Sequence, residues 1–503
     1  MAESAPADFV REIGLWEALA IALATMIGAG ILLLPAVAAG RAGPGAILAY
    51  LIAGVIALVV ALVIAELATG IPGAGGSYRL AARALGPLGG AIMGPISALG
   101  LILFLAFCLT GLARYVAYFI PLPVELTVVL TGLIFLWWNY RGAKPILGVQ
   151  LVVLAALVLF VLSALFDIEP AYQQPFLPQG WGAVLGSVGL VMVAFIGFEK
   201  VASLAGEMEE PDHNVPRALI GAVVIATLLY GAVLYVVTGL LPAETLAASP
   251  VPLIEAGPQA MSVIGVAILA LAGLLALGST INVGLVLAGR IGVALGQDRV
   301  LPRWFSRLHS RFLSPHRTIL VTGILVMALA LLDRPVRLAE TASALFMLAY
   351  ALLSVSVITL RRERPDWYDP TFQVPLYPVL PALGIILPLG VLLTLDWRAV
   401  LAALAVVGLG ALWYLIWGKG RARAPIQITA DRWTEEVPGN AILVPVANPE
   451  TAQQLVTLAA GWGRHIPNTK VVALRLVALP LSVPLRLAQD YVAEQNESLR
   501  EAL

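Results

Sequence analysis

Apolar stretches of about 20 residues recur along the chain as far as position 418, and that length is what a helix needs to cross roughly 30 Å of hydrocarbon. No soluble core absorbs so many. Of 503 residues, 60% are hydrophobic and 12% are charged, against roughly 25% charged in an ordinary soluble domain. Lipid is therefore the solvent for most of the chain, and the predicted fold class is an all-α membrane protein followed by a small α/β segment. Apolar runs between charged or Pro/Gly-rich breaks predict twelve spans, at 14–39, 44–70, 87–113, 124–140, 144–166, 182–206, 216–240, 258–290, 318–332, 338–360, 375–395 and 398–418. With the N-terminus in the cytoplasm, only Arg41, Arg114, Arg334, Arg337 and Arg398 fall outside. Apart from Lys200, which sits within a span, every other Lys and Arg up to Arg423 then lies inside. The positive-inside rule selects that orientation, so both ends of the membrane domain are expected in the cytoplasm and the protein in the inner (cytoplasmic) membrane. The start, Met1 to Leu15, carries Glu3, Asp8, Arg11 and Glu12 and has no cleavable signal pattern. The first span is expected to remain in the mature protein.

Several function classes drop out. Lys plus Arg number 30 and Asp plus Glu 30, so no net charge points to nucleic acid. The single cysteine, Cys108, lies in an apolar run and forms no intrachain disulfide. His213, His309 and His316 fall in cytoplasmic loops and His465 in the tail, without a metal-ligand pattern. No enzyme activity, metal or cofactor is expected. A channel would show pore-loop repeats, and the sequence has none. From Lys419 the composition turns polar, so 1–418 reads as the membrane domain and 419–439 as a cytoplasmic linker. In 440–503, Ala441 to Val446 and Lys470 to Leu479 read as strands and Glu450 to Arg464 as a helix. This β-α-β pattern resembles the opening half of a universal stress protein domain, without that family's Gly-rich phosphate loop. Its expected role is regulation or assembly of a homodimer.

Two spans carry their own interruptions. In the first, Gly28 and Gly30 lie mid-run and Pro35 follows; glycine weakens a helix by about 1 kcal/mol relative to alanine and an interior proline costs about 3. The span is expected to break there. A break frees backbone N–H groups at the positive end of a half-helix, where a carboxylate fits. The other reading of Gly-x-Gly is a close-packed helix interface. The sixth span repeats the theme with Phe195-Ile196-Gly197-Phe198-Glu199-Lys200, placing two ionisable residues deep in an apolar run. Interruptions at matching places in two five-helix halves point to an inverted repeat. An ammonium at the carbonyls of one break and a carboxylate at the N–H groups of the other describe the backbone of an α-amino acid.

These residues resemble the amino acid, polyamine and organocation superfamily of secondary transporters over nearly all of 10–418. The likeness is carried by Ile27 to Ile31 with Pro35, and by Ala65-Glu66-Leu67-Ala68 followed by the loop Gly75-Gly76-Ser77-Tyr78. Asn139-x-Arg141-Gly142-x-Lys144, Ala205 to Pro211 with Asn214, and Leu277 to Pro302 ending Gln297-Asp298-Arg299 extend it. The resemblance implies a leucine-transporter-like fold, two inverted five-helix repeats plus two extra helices, with the solute between the first and sixth spans. It also implies that Ala29 and Gly30 N–H groups, beside Gly28, receive a carboxylate. Carbonyls near Ile27, Val193 and Ile196 would take the amino group at the Gly197 break, and Phe198 would close over the solute.

The coupling ion, proton or sodium, is left open. Some proton-coupled relatives hold a lysine in the fifth span where this chain has Leu157. Ser279 and Thr280 have hydroxyls suited either to a sodium site or to capping their own helix carbonyls. Glu199 and Lys200 are candidates for coupling or gating, against a purely structural pair. A sensor that binds the amino acid with little flux is the competing function.

Overall fold

The computed structural model describes residues 13–71, 76–141, 147–205, 208–297, 300–306, 309, 314–365, 367–418, 441–445 and 470–474. The first expected span is three helices, α1 (Leu15–Met26), α2 (Ala29–Leu32) and α3 (Leu34–Ala42). Pro35 sits in the first turn of α3, where its missing N–H costs nothing, so Gly28 makes the break and Pro35 restarts the helix. A 3₁₀ turn at Gly43–Gly45 leads to the continuous α4 (Ala46–Gly70). The segment after it, expected as loop, instead forms α5 (Gly76–Ala84), with Tyr78, Leu80, Ala81 and Ala84 buried on α6 (Gly86–Phe119). Then come α7 (Val124–Tyr140) and α8 (Leu147–Ala164).

The sixth expected span is again divided. It runs as α9 (Gly180–Val191), a 3₁₀ turn Met192–Phe195, a second 3₁₀ turn Phe198–Lys200 and α10 (Val201–Leu204). Next follow α11 (Pro211–Leu240), the short α12 (Ala243–Ala248) and α13 (Pro252–Ala256), and α14 (Val263–Gln297). The bundle ends with α15 (His316–Ala330), α16 (Pro335–Glu363), α17 (Val379–Leu392) and α18 (Trp397–Trp413), the last running into a π-helical turn Tyr414–Gly418. Among the described residues, seven helical stretches are long and apolar enough to cross a membrane, and five more apolar helices are shorter.

In lipid the apolar side chains gain nothing by leaving the solvent for each other, so close packing and polar ties hold helices together. α4 packs along α11, α6 against α14 and α16, and α1 against α11, α14 and α8. Ion pairs mark both ends of α16. Arg41 Nη2 meets Glu340 Oε1 at 2.9 Å near its start, and Arg361 Nε donates to the fully buried Glu66 at 2.7 Å near its end. Ile13, just before α1, forms a β-bridge with Met208, and Glu209 N–H donates to its carbonyl at 2.9 Å. The entry to the first span is thus tied to the exit from the sixth.

Glu12–Ala422 forms one compact unit. In the other, β1 (Ala441–Pro445) and β2 (Lys470–Leu474) pair in parallel, Ala441 opposite Lys470. Parallel neighbours need a crossover connection; the helix expected at Glu450 to Arg464 and the linker at 419–439 lie outside the described residues.

Candidate solute-binding site

The α1 helix ends at Met26 because Ile27 (φ −76°, ψ 85°) and Gly28 (φ −153°, ψ −135°) leave the helical region. Gly28 N–H turns back to Met26 O at 2.9 Å, and α2 resumes at Ala29 and Gly30. In the sixth span Ile196 is extended and Gly197 has φ +128°, a backbone that only glycine adopts without strain. Both breaks are wholly buried.

The breaks meet. A Cβ on Gly30 would lie 2.3 Å from the Ala194 Cα, one on Gly197 2.5 Å from Thr25 Oγ1, and one on Gly28 2.6 Å from Thr280 Oγ1. These glycines therefore let the first and sixth spans and α14 touch, and the Gly30 Cβ direction is filled by protein.

The freed carbonyls have protein partners that the sequence alone did not reveal. Tyr50 on α4 donates its hydroxyl to Gly30 O at 2.8 Å, and Tyr230 on α11 donates to Ala194 O at 3.1 Å. Each tyrosine stands on the helix that follows a broken span. Their rings meet edge to face with centroids 5.8 Å apart. Tyr115 on α6 donates to Leu32 O at 3.3 Å. Val193 O accepts Ile196 N–H at 3.3 Å, and a carbonyl has a second lone pair to offer.

Glu199 and Lys200 part company. Glu199 Oε2 accepts from Gly197 N–H at 2.8 Å and from the Tyr350 hydroxyl at 3.2 Å, so the carboxylate staples its own break to α16. Lys200 Nζ is buried without a hydrogen-bond partner, 5.6 Å from the centroid of Phe104. Phe198 is fully buried and its ring lies 5.7 Å from that of Tyr350, which is 6.0 Å from Phe346. The wall beside the breaks is aromatic.

Of the two α14 hydroxyls, Thr280 reaches the first span, donating to Ala276 O at 2.9 Å and lying 3.2 Å from Ala24 O. Ser279 faces α8, where it accepts from Gln150 Nε2. Gln150 Oε1 is buried and unpartnered. The α8 group aimed at α14 is thus Gln150, while Leu157 is a buried apolar contact. No cluster of metal-ligating side chains occurs among the described residues.

A multi-pass membrane bundle with two buried, mutually packed helix breaks defines the class of helical permeases. The chain belongs to the amino acid permease family, whose pattern matches residues 13–417. It is 27% identical to the branched-chain amino acid permease BcaP of Bacillus subtilis, over 84% of this chain and 96% of that one. To the BcaP of Lactococcus lactis subsp. cremoris it is 30% identical, over 79% and 91% respectively. It is also 26% identical to the methylthioribose transporter of Bacillus subtilis, over 83% and 95%.

Proposed function

We propose that the chain is a secondary active transporter that carries an amino acid across the cytoplasmic membrane by alternating access. The observation that carries this is the meeting of two buried helix breaks at Gly30 and Ala194. Irregular backbone at membrane depth is tolerated where protein encloses it or a solute pathway runs. Twelve spans in two inverted five-helix repeats plus two helices fit the paired geometry, Tyr50 capping the first break from α4 and Tyr230 the sixth from α11. Lys and Arg placement supports cytoplasmic termini.

The solute lies against the Ile27–Gly30 and Val193–Phe198 segments, its amino group at the second lone pairs of their carbonyls. Its side chain faces Phe198, Tyr350 and Phe346. That apolar wall, together with the two relatives named as branched-chain amino acid permeases, makes leucine, isoleucine and valine the first solutes to test. Coupling is assigned to Glu199, with its neighbour Lys200, for a proton, and to Thr280 with Ser279 for sodium. Glu199→Gln that flattens the pH profile of uptake selects the proton, and uptake that fails without sodium and in Thr280→Val selects the second. The C-terminal segment regulates or dimerises the transporter.

Counterflow tests the function. Labelled leucine should accumulate in proteoliposomes preloaded with unlabelled leucine. Binding of amino acids without exchange would make the protein a sensor, and neither would end the amino acid reading.

A further inference from the structure

A buried lysine in this bundle has no hydrogen-bond partner among the described residues. Lys200 is 7% exposed, and its Nζ makes no hydrogen bond. An ammonium held in low dielectric without a counter-charge is strongly disfavoured. The adjacent carboxylate gives it no hydrogen bond, because Glu199 Oε2 accepts from Gly197 N–H and the Tyr350 hydroxyl, and it attracts Lys200 only through space. The Phe104 ring face at 5.6 Å attracts the cation weakly and accepts no full hydrogen bond.

Cys108 stands one helical turn beyond Phe104 on α6. Helix α2, which begins at Ala29, packs on α6, where the Cys108 sulfur is buried. Sulfur is a weak acceptor. Lys200 from the sixth span and α2 from the first therefore both border α6, where Phe104 and Cys108 offer only a ring face and a thiol.

We propose that Lys200 is the counter-ion of the transported solute's carboxylate. The carboxylate accepts from Ala29 N–H at the start of α2 and pairs with Lys200 Nζ over the Phe104–Cys108 face. This rests on the transport reading above and narrows it to solutes that bear a carboxylate. A solute without one leaves Lys200 unpaired and, if it is an amine, sets a second cation beside it. Rejection then comes from the unmet charge.

The test uses full-length protein purified in detergent. Each of the twenty amino acids is first screened by thermal shift, and the strongest binder is then titrated against its own primary amide, L-leucine against L-leucinamide being the first pair. Wild type should prefer the acid by about 100-fold, the worth of one charge-assisted pair. Lys200→Met should weaken the acid by about 100-fold and leave the amide within about threefold, whereas Lys200→Arg should keep most of the preference. Equal losses for acid and amide in Lys200→Met, or an unchanged affinity for the acid, would overturn the pairing. Should Lys200→Met fail to fold, a wild type that binds acid and amide alike, or a Lys200→Arg without preference, overturns it just as well. A wild type that binds no amino acid removes the transport reading and this pairing together, whereas a wild type that binds one but ignores Lys200 removes the pairing alone.

Discussion

Tyr50 and Tyr230 show how the breaks are made tolerable. A helix interrupted in a dry interior leaves carbonyls without donors, and each such orphan costs about 1–3 kcal/mol. Tyr50→Phe and Tyr230→Phe keep the ring and remove only the donor to Gly30 O or Ala194 O. Each should lower stability by that amount, read as an earlier thermal melt of the detergent-solubilised protein, and an unchanged melt would mean that water satisfies the carbonyl. Because the two rings touch, the double variant should depart from the sum of the singles. Gly30→Ala is the complementary change, since one added methyl meets the Ala194 Cα at 2.3 Å and backbone cannot step aside as a flexible side chain does. Overpacking of this kind costs about 1–3 kcal/mol. A Gly30→Ala protein that melts with wild type would show that the two spans do not need their close approach. The glycines themselves were legible in the sequence, as residues that weaken a helix wherever they fall. The tyrosines were not, because one hydroxyl in a run such as Ala46 to Ala65, apolar on all sides, gives no period from which to read the face it occupies.

Helices are fastened to one another by a few polar groups whose partners lie far apart in sequence. Glu66, fully buried near the end of α4, accepts from Arg361 Nε at 2.7 Å, Val374 N–H at 2.7 Å and the Tyr368 hydroxyl at 3.1 Å. Burial raises the pKa of the Tyr368 hydroxyl above its ordinary value, so it stays protonated and donating. One carboxylate thereby binds α4 to α16 and to the connection that follows α16. Glu66→Ala removes the acceptor of Val374 N–H and leaves the partly exposed Arg361 guanidinium its bond to Val374 O at 3.3 Å, so the loss should fall at the low end for breaking a buried pair, about 3 kcal/mol. Tyr368→Phe removes a single bond and should cost about 1 kcal/mol. Equal melts for Glu66→Ala and Tyr368→Phe would show that the ion pair contributes nothing beyond an ordinary hydrogen bond. From the sequence, Glu66 was a motif residue without a role, since 295 positions separate it from Arg361. The α1–α2 and α9–α10 interruptions were legible because their cause is local. Helix α5 was not, for Gly75-Gly76-Ser77-Tyr78 carries turn chemistry, and what overrides it is the burial of Tyr78 and Leu80 on α6.

The compact unit Glu12–Ala422 contains every described group that meets at the helix breaks. Gly30, Ala194, the two capping tyrosines, Glu199, Lys200, Cys108 and Thr280 make their contacts inside it, and none calls on β1 or β2. A solute held by those groups has no energetic term that the strands supply. Deleting residues 423–503 should therefore leave affinity for the amino acid within about threefold, less than the 1.4 kcal/mol that a tenfold change represents. Counterflow should continue in proteoliposomes of the truncated protein, while regulation or association that depends on the tail is lost. The two effects separate experimentally, because binding is read in detergent on the isolated bundle and association by the mass of the protein–detergent particle. A truncated protein that melts as a single folded species yet binds no amino acid would place the strands in the transport machinery. It would also mean that coupling passes between the two units, since among the described residues the breaks are closed by the bundle alone.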